Sequence, residues 1–239
     1  MNEHPEPEIP LTGGRTSLGV VRVGDTVRKP VTHNSAFVRR LLLHLAAVGF
    51  EGCPSYLGLD ERGRDTFSFV AGHVPADLGE FSAAQLEAAA RLLRALHDAT
   101  SRSDLRGDCE VVCHGDASPC NFVFQTELPC ALIDFDAAEP GDRWSDLGYA
   151  AWHWLDLGND QLSAALQGRR LARFFADYGA PSLDDPIAVV LVAQVKVCSR
   201  EVAPVGNKEW ASDCLAWTRR HRAELRAGFE EAWKEFRAE

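Results

Sequence analysis

The stretch Cys113-His114-Gly115-Asp116-Ala117-Ser118-Pro119-Cys120-Asn121, followed by Ile133-Asp134-Phe135-Asp136, constrains this chain more than any other feature. Its polar positions are bracketed by short apolar runs, Val111-Val112, Phe122-Val123-Phe124 and Ala131-Leu132-Ile133, which read as strands. A fold that accommodates them must carry His-x-Asp, an Asn five positions after that Asp, and a further Asp on loops at strand ends.

This residue set, in this order, is what phosphoryl transfer from a metal-bound nucleotide requires: a carboxylate facing the acceptor hydroxyl, then an amide, then a carboxylate on the metal. Asp116 is the expected catalytic carboxylate, since an alcohol is a poor nucleophile until something orients it and takes its proton. Asn121 is expected to coordinate through its side-chain carbonyl, with Pro119 stiffening the loop. Asp134 is expected to hold Mg2+, an ion that prefers hard oxygen ligands. Either motif alone passes for a polar loop between strands; the two together, in order, point to a kinase. His114 is either a second base or, the reading preferred here, a packed histidine that props the loop by hydrogen bonding. Asp136 is either a second metal ligand or a substrate contact. In Gly141-Asp142-Arg-Trp-Ser-Asp146-Leu-Gly-Tyr149, Asp142 and Asp146 are supporting acids, and Asp146 is expected to cap the next helix and tie the catalytic loop.

The N-terminal part reads as strands and turns around one helix. Val20–Val23 and Thr26–Lys29 flank a Gly24-Asp25 turn, and Ala36–Val48 has helical periodicity. Tyr56–Leu59 and Thr66–Val70 flank the polar turn at 60–64. Val27 and Lys29 share a strand face, so Lys29 is the expected clamp on nucleotide phosphates, with Arg28 the competitor if the register slips. Gly13 and Gly14 would let backbone amides approach phosphate. Phe67–Ala71, with Phe69 and Ala71, reads as a hinge strand offering backbone groups to an adenine edge. Ser82-Ala-Ala-Gln85 is a capping-box signature opening a helix. From Asp146 onward the pattern is helical, with Asp185-Pro186 starting a helix to Val202 and a last helix over Glu209–Phe236. The sum is an α+β, two-lobed fold, with a small antiparallel-sheet lobe over 1–72 and a mainly helical catalytic and substrate-binding lobe over 73–239.

The 239 residues carry a formal net charge of -10, which argues against a nucleic-acid partner and suits a cationic ligand. No apolar run reaches membrane-spanning length, and Met1–Pro10, acidic and Pro-rich, reads as a frayed tail rather than a signal peptide. The seven cysteines read as reduced, mostly buried thiols of a cytoplasmic protein. Trp152, His153 and Trp154 form an aromatic cluster, read as helix core in preference to a stacking surface. Asp156, Asp160, Glu201, Glu209 and Asp213 either line a cleft for a polycation or form a solvated acidic surface.

His114-Gly-Asp116-x4-Asn121, Ile133-Asp134-Phe-Asp136 and Gly141-Asp142-x3-Asp146-Leu147 resemble the aminoglycoside phosphotransferase and choline kinase superfamily, a branch of the protein-kinase fold. Leu96-His97 at a helix end and Phe69-Val70-x-Gly72 at the hinge are similar to it too. The resemblance implies ATP or GTP with Mg2+ in the cleft. It also implies transfer of the γ-phosphoryl group to a hydroxyl of a small, possibly cationic molecule, by a monomer or weak homodimer. Antibiotics, amino alcohols and sugars are the candidate acceptors, and a kinase-like protein that binds nucleotide without efficient catalysis is the rival. The chain departs from the family by lacking a Glu in the 36–48 helix, where Val38 stands at the aligned position, and by a short helical lobe.

Overall fold

The computed structural model describes residues 6–11, 19–181, 183–199 and 205–236, with side chains from 208 onward in the last segment. Its first lobe is a five-stranded antiparallel sheet in the order β1-β2-β3-β5-β4. The strands are β1 (Ile9–Pro10), β2 (Val21–Val23), β3 (Thr26–Lys29), β4 (Tyr56–Leu59) and β5 (Asp65–Ser68). Lys29 pairs with Asp65 and Val27 with Phe67, so Val27 and Lys29 share a face as expected. Arg28 points the other way, donating to the Thr26 and Thr66 hydroxyls, which removes it as a competitor for the phosphate position.

Helix α1 (Ser35–Ala47) crosses this sheet with Val38, Leu41, Leu42 and Leu45 buried, while Val48 lies beyond its end and is exposed. Its polar anchor is Arg39, whose Nε donates to Asp65 Oδ1 at 2.6 Å. The helix thus docks through an Arg–Asp pair to β5 instead of through a Glu to Lys29.

The second lobe opens with α2 (Ala83–Thr100), whose reciprocal Ser82–Gln85 bonds form the expected capping box. Two small antiparallel sheets follow. One pairs β6 (Val111–Cys113) with β9 (Glu139–Gly141), and the other pairs β7 (Phe122–Gln125) with β8 (Leu128–Leu132). Helices α3 (Arg143–Trp154), α4 (Ala164–Tyr178), α5 (Pro186–Cys198), α6 (Val205–Arg220) and α7 (Arg222–Phe236) complete it. Asp185 caps α5 with Pro at its first turn, as read from the sequence, but α5 ends at Cys198 rather than Val202. The last helix is two, divided at His221: α6 packs on α5 and α7 on α4, and docking on different partners bends the chain there. A Cβ on Gly168 would sit 2.1 Å from the Leu225 carbonyl, so α4 and α7 approach at backbone contact.

The core between the hairpin and α3 is aromatic. Phe122 meets Trp154 edge-on at 4.9 Å, and Phe81 lies 4.7 Å from the same indole. Trp152 is fully buried and stacks on Trp210 at 4.7 Å, so the Trp152-His153-Trp154 cluster is helix core. The expectation of mostly buried thiols is corrected. All seven cysteines are free, but only Cys113 and Cys214 are buried, and Cys109 is exposed. Burial pushes the Cys53 thiol up to about 12, which leaves it protonated and inert at neutral pH.

Candidate active site

The loop from β6 to β7 is built around His114. The ring is fully buried. Its Nε2 donates to the Ile133 carbonyl at 3.0 Å, and its Nδ1 accepts the Asp116 amide at 3.3 Å. Both ring nitrogens hold backbone, one on each side of the site, so His114 props the loop. Gly115 has φ +79, and a Cβ there would lie 2.1 Å from the Ala137 carbonyl, so only glycine lets the 134–138 segment close over the loop.

Hairpin pairing aligns the two motifs. Phe122 faces Leu132, and Ile133 N–H donates to the Asn121 carbonyl at 2.9 Å, which sets Asn121 beside the residue preceding Asp134. Asn121 Nδ2 donates to the Asp116 carbonyl at 2.8 Å, so its amide group is oriented by the same loop that carries Asp116. Asp134 has φ 62 and ψ 64, in the left-handed region, a local strain of the kind that collects at functional sites. Asp116, Asn121 and Asp134 therefore come from one continuous loop–hairpin–loop unit, and Tyr149 of α3 donates to Asp116 Oδ1 at 2.6 Å.

Lys29 reaches this unit from the other lobe. Its ammonium lies 2.5 Å from Asp134 Oδ1 and 2.9 Å from Asp136 Oδ1. Burial works against the Lys29 charge, but the Asp134 and Asp136 carboxylates outweigh it and raise its pKa above the ordinary lysine value. The acids that pair Lys29, in a chain with no α1 Glu, are thus those of the Asp-Phe-Asp motif. The N-terminus of α1 is tied to the same segment by Asn34 Nδ2, which donates to the Asp136 and Ala138 carbonyls at 2.9 and 3.0 Å.

Asp146 is the scaffold of the site. It is 2% exposed, and its oxygens accept from the His114 amide at 2.5 Å, the Gly115 amide at 2.9 Å and His97 Nε2 at 3.1 Å. With Nε2 protonated, His97 Nδ1 accepts from the Tyr178 hydroxyl at 2.7 Å. Burial opposes ionisation, but the hydrogen bonds from His97 Nε2 and the Gly115 amide hold the Asp146 carboxyl below the ordinary value. Asp146 ties the loop as expected, but the helix cap is Asp142, which accepts from Ser145 N–H at 2.9 Å. His97, Cys113 and Asp146 gather ligand-type atoms within 4.8 Å of one another, all buried. Each of the three is hydrogen-bonded inside the fold, Cys113 to the Asp142 carbonyl at 3.2 Å, so the trio is a packing network.

The expected nucleotide-side residues fare unevenly. Gly13 and Gly14 lie outside the described residues. At the hinge, the Phe69 amide donates to the Asp25 carbonyl at 2.8 Å, and Gln125 Nε2 donates to the Ala71 carbonyl at 2.7 Å. These two groups are therefore engaged by protein, and Arg22 covers the Phe69 ring at 3.8 Å. Among the distal acids, Asp160 accepts from Trp217 Nε1 at 2.8 Å, Asp156 is bonded by Asn159, and Glu201 lies outside the described residues. Sequence reasoning missed Tyr149, Asn34 and the Arg39–Asp65 pair. Tyr149 had one available signal, its place three residues after Asp146 on a helix.

Two lobes, the His114–Asn121 loop between small β-pairs and an Asp-Phe-Asp segment facing a strand lysine make up a protein-kinase-like fold. Residues 104–185 match the phosphotransferase enzyme family (APH). The match includes both motifs, Asp142 and Asp146, so the superfamily resemblance read from them stands. The chain is 29% identical to a trifolitoxin immunity protein of Rhizobium leguminosarum bv. trifolii, over 92% of this chain and 98% of that protein. Two solved structures share the fold. One is aminoglycoside phosphotransferase APH(3'')-Id of Streptomyces rimosus, in complex with ADP and streptomycin, with TM-score 0.55, 16% identity and 94% of each chain covered. The other is an ethanolamine kinase of Plasmodium vivax, with TM-score 0.63, 12% identity, 91% of this chain and 83% of that one.

Proposed function

We propose that this protein transfers the γ-phosphoryl group of ATP (or GTP) to a hydroxyl of a small molecule in a Mg2+-dependent reaction, in the cleft between residues up to 72 and residues 73–239. The observation that carries the reading is the convergence of Asp116, Asn121 and Asp134 on one hairpin unit opposite Lys29. Asp116 orients the acceptor hydroxyl and takes its proton as the new P–O bond forms. Lys29 moves to the nucleotide phosphates.

The donor set fits a divalent cation. Asp134 and Asp136 already share one cation, the Lys29 ammonium, and Asn121, whose backbone is bonded to the residue before Asp134, carries a neutral side-chain oxygen of the type the ion takes. Asn121 and Asp134 would hold Mg2+, with Asp136 a further oxygen donor; when bound, the ion neutralises charge on the bridging phosphates. Hydroxylated antimicrobial compounds, aminoglycoside-like or otherwise cationic, are the acceptors of first choice. The support is a relative along nearly the whole chain that is named for immunity to a toxin, and a structural neighbour that holds an aminoglycoside. An amino alcohol is the second choice, from the ethanolamine kinase neighbour. No helix among the described residues is long and apolar enough to cross a membrane, and the need for ATP favours the cytoplasm.

Release of the nucleoside diphosphate (ADP from ATP, GDP from GTP), coupled to a spectroscopic readout, is to be measured with Mg2+ against a panel of cationic antibiotics, hydroxylated peptides, amino alcohols and sugars. Acceptor-dependent release of ADP or GDP with at least one compound is expected. Release at the same rate with and without every compound would favour a nucleotide-binding protein without transfer.

A further inference from the structure

The hydroxyl of Tyr149 lies 2.6 Å from Asp116 Oδ1, within the range for an O–H donor on an ionised carboxylate. Tyr149 follows Asp146 by three residues in α3, so both side chains leave the same helix face. One holds the loop by its backbone amides and the other by its carboxylate. The phenol is itself fixed. Its ring stacks on His153 at 4.1 Å and 29°, and His153 Nδ1 donates to the Tyr149 carbonyl at 2.9 Å. Behind them Trp152 stacks on Trp210 at 9°. A side chain present only to fill the core would not need to end on the carboxylate proposed to take the acceptor proton.

We propose that Tyr149 is a positioning residue for Asp116. This rests on the phosphotransferase reading above. Its hydroxyl occupies one carboxylate oxygen and stops rotation about the Cβ–Cγ bond, leaving the second oxygen to meet the acceptor hydroxyl. Tyr149 and Gly115 also line a cavity of about 210 Å³ together with Asp142, Glu139 and Lys196.

Tyr149→Phe removes the hydroxyl and keeps the stacking. It is expected to lower kcat by about 10- to 100-fold, the cost of a misplaced reacting group, with the KM for nucleotide and the Tm unchanged. In an Asp116→Asn background the same change should have no further effect on turnover. Unchanged kcat, or a kcat loss matched by an equal loss in Tm, would overturn the proposal. If the wild-type protein turns over none of the acceptors, it is the phosphotransferase reading that fails. The crystal structure of Tyr149→Phe then decides the present one: an Asp116 side chain in a new or split rotamer supports it, and one left in its original place rejects it.

Discussion

Asp116→Asn is expected to lower kcat by about 100- to 10,000-fold, the contribution of a positioned general base. The substitution is nearly isosteric. Its carbonyl oxygen can still accept the Tyr149 hydroxyl, and the backbone bonds to His114 and Asn121 do not involve the side chain. The loop therefore keeps its shape and loses only the group that takes the acceptor proton. Nucleotide affinity should stay at the wild-type value, because Lys29, Asn121 and Asp134 are untouched. Steady-state ADP release with the best acceptor, paired with calorimetric titration of nucleotide, separates the two quantities. Wild-type turnover in Asp116→Asn would remove Asp116 from its assigned role.

The largest effect on stability is expected at Asp146. In Asp146→Ala the amides of His114 and Gly115 and the ring of His97 lose their acceptor inside the core. Removing one member of a buried charged network costs about 3–5 kcal/mol. In a domain of this size that lowers Tm by roughly 6–20 °C at neutral pH. The pH dependence has a definite sign. The Asp146 carboxyl is held below its ordinary value in the folded protein, so its contribution is present above the unfolded-state value near 3.8 and fades as pH falls through the lower folded value. The gap in Tm between wild type and Asp146→Ala should narrow under acid. A gap that widens there, or an Asp146→Ala protein as stable as wild type at pH 7, would show that the loop is held by other means. Catalysis should fall along with stability, since His114 and Gly115 shape the turn that presents Asp116.

The site was legible where chemistry dictates residue types at short range. His114, Asp116, Asn121 and Asp134 are close in sequence because one hairpin carries them all, so their spacing could be read directly. The Ser82–Gln85 box and the Asp185-Pro186 start were legible for the same reason: the bonds they make span three residues. Contacts across large separations were not. Lys29 and Asp134 are 105 positions apart, and Tyr149 and Asp116 are 33 apart; no local pattern announces either pair. The absence of a Glu in α1 was visible, but the consequence was not. It took the fold to show that Lys29 turns to the Asp-Phe-Asp segment while α1 docks through Arg39 and Asp65.

Other misses have local causes. β9 is three residues long and contains Pro140, which gives no strand signal. The β7–β8 turn uses Thr126 and Glu127 at φ 44 and 72, with none of the Gly or Asn that marks such turns. Assigning the α3 cap to Asp146 rather than Asp142 reflects two acids near one helix start. Their roles are separated only by which of them faces the loop.

The central claim is that Asp134 and Asn121 hold a divalent ion with a nucleotide beside Asp116. Lys29 now neutralises Asp134 and Asp136, so nucleotide and ion should enter together, the phosphates drawing Lys29 away as the ion takes its place. Calorimetric titration of ADP into wild type and Asp134→Asn, each with Mg2+ and with a chelator, tests this most directly. Wild type should bind ADP far more tightly with Mg2+ than without, and Asp134→Asn should lose that difference. Equal affinity of the wild type under both conditions, or full Mg2+ dependence retained in Asp134→Asn, would contradict the account.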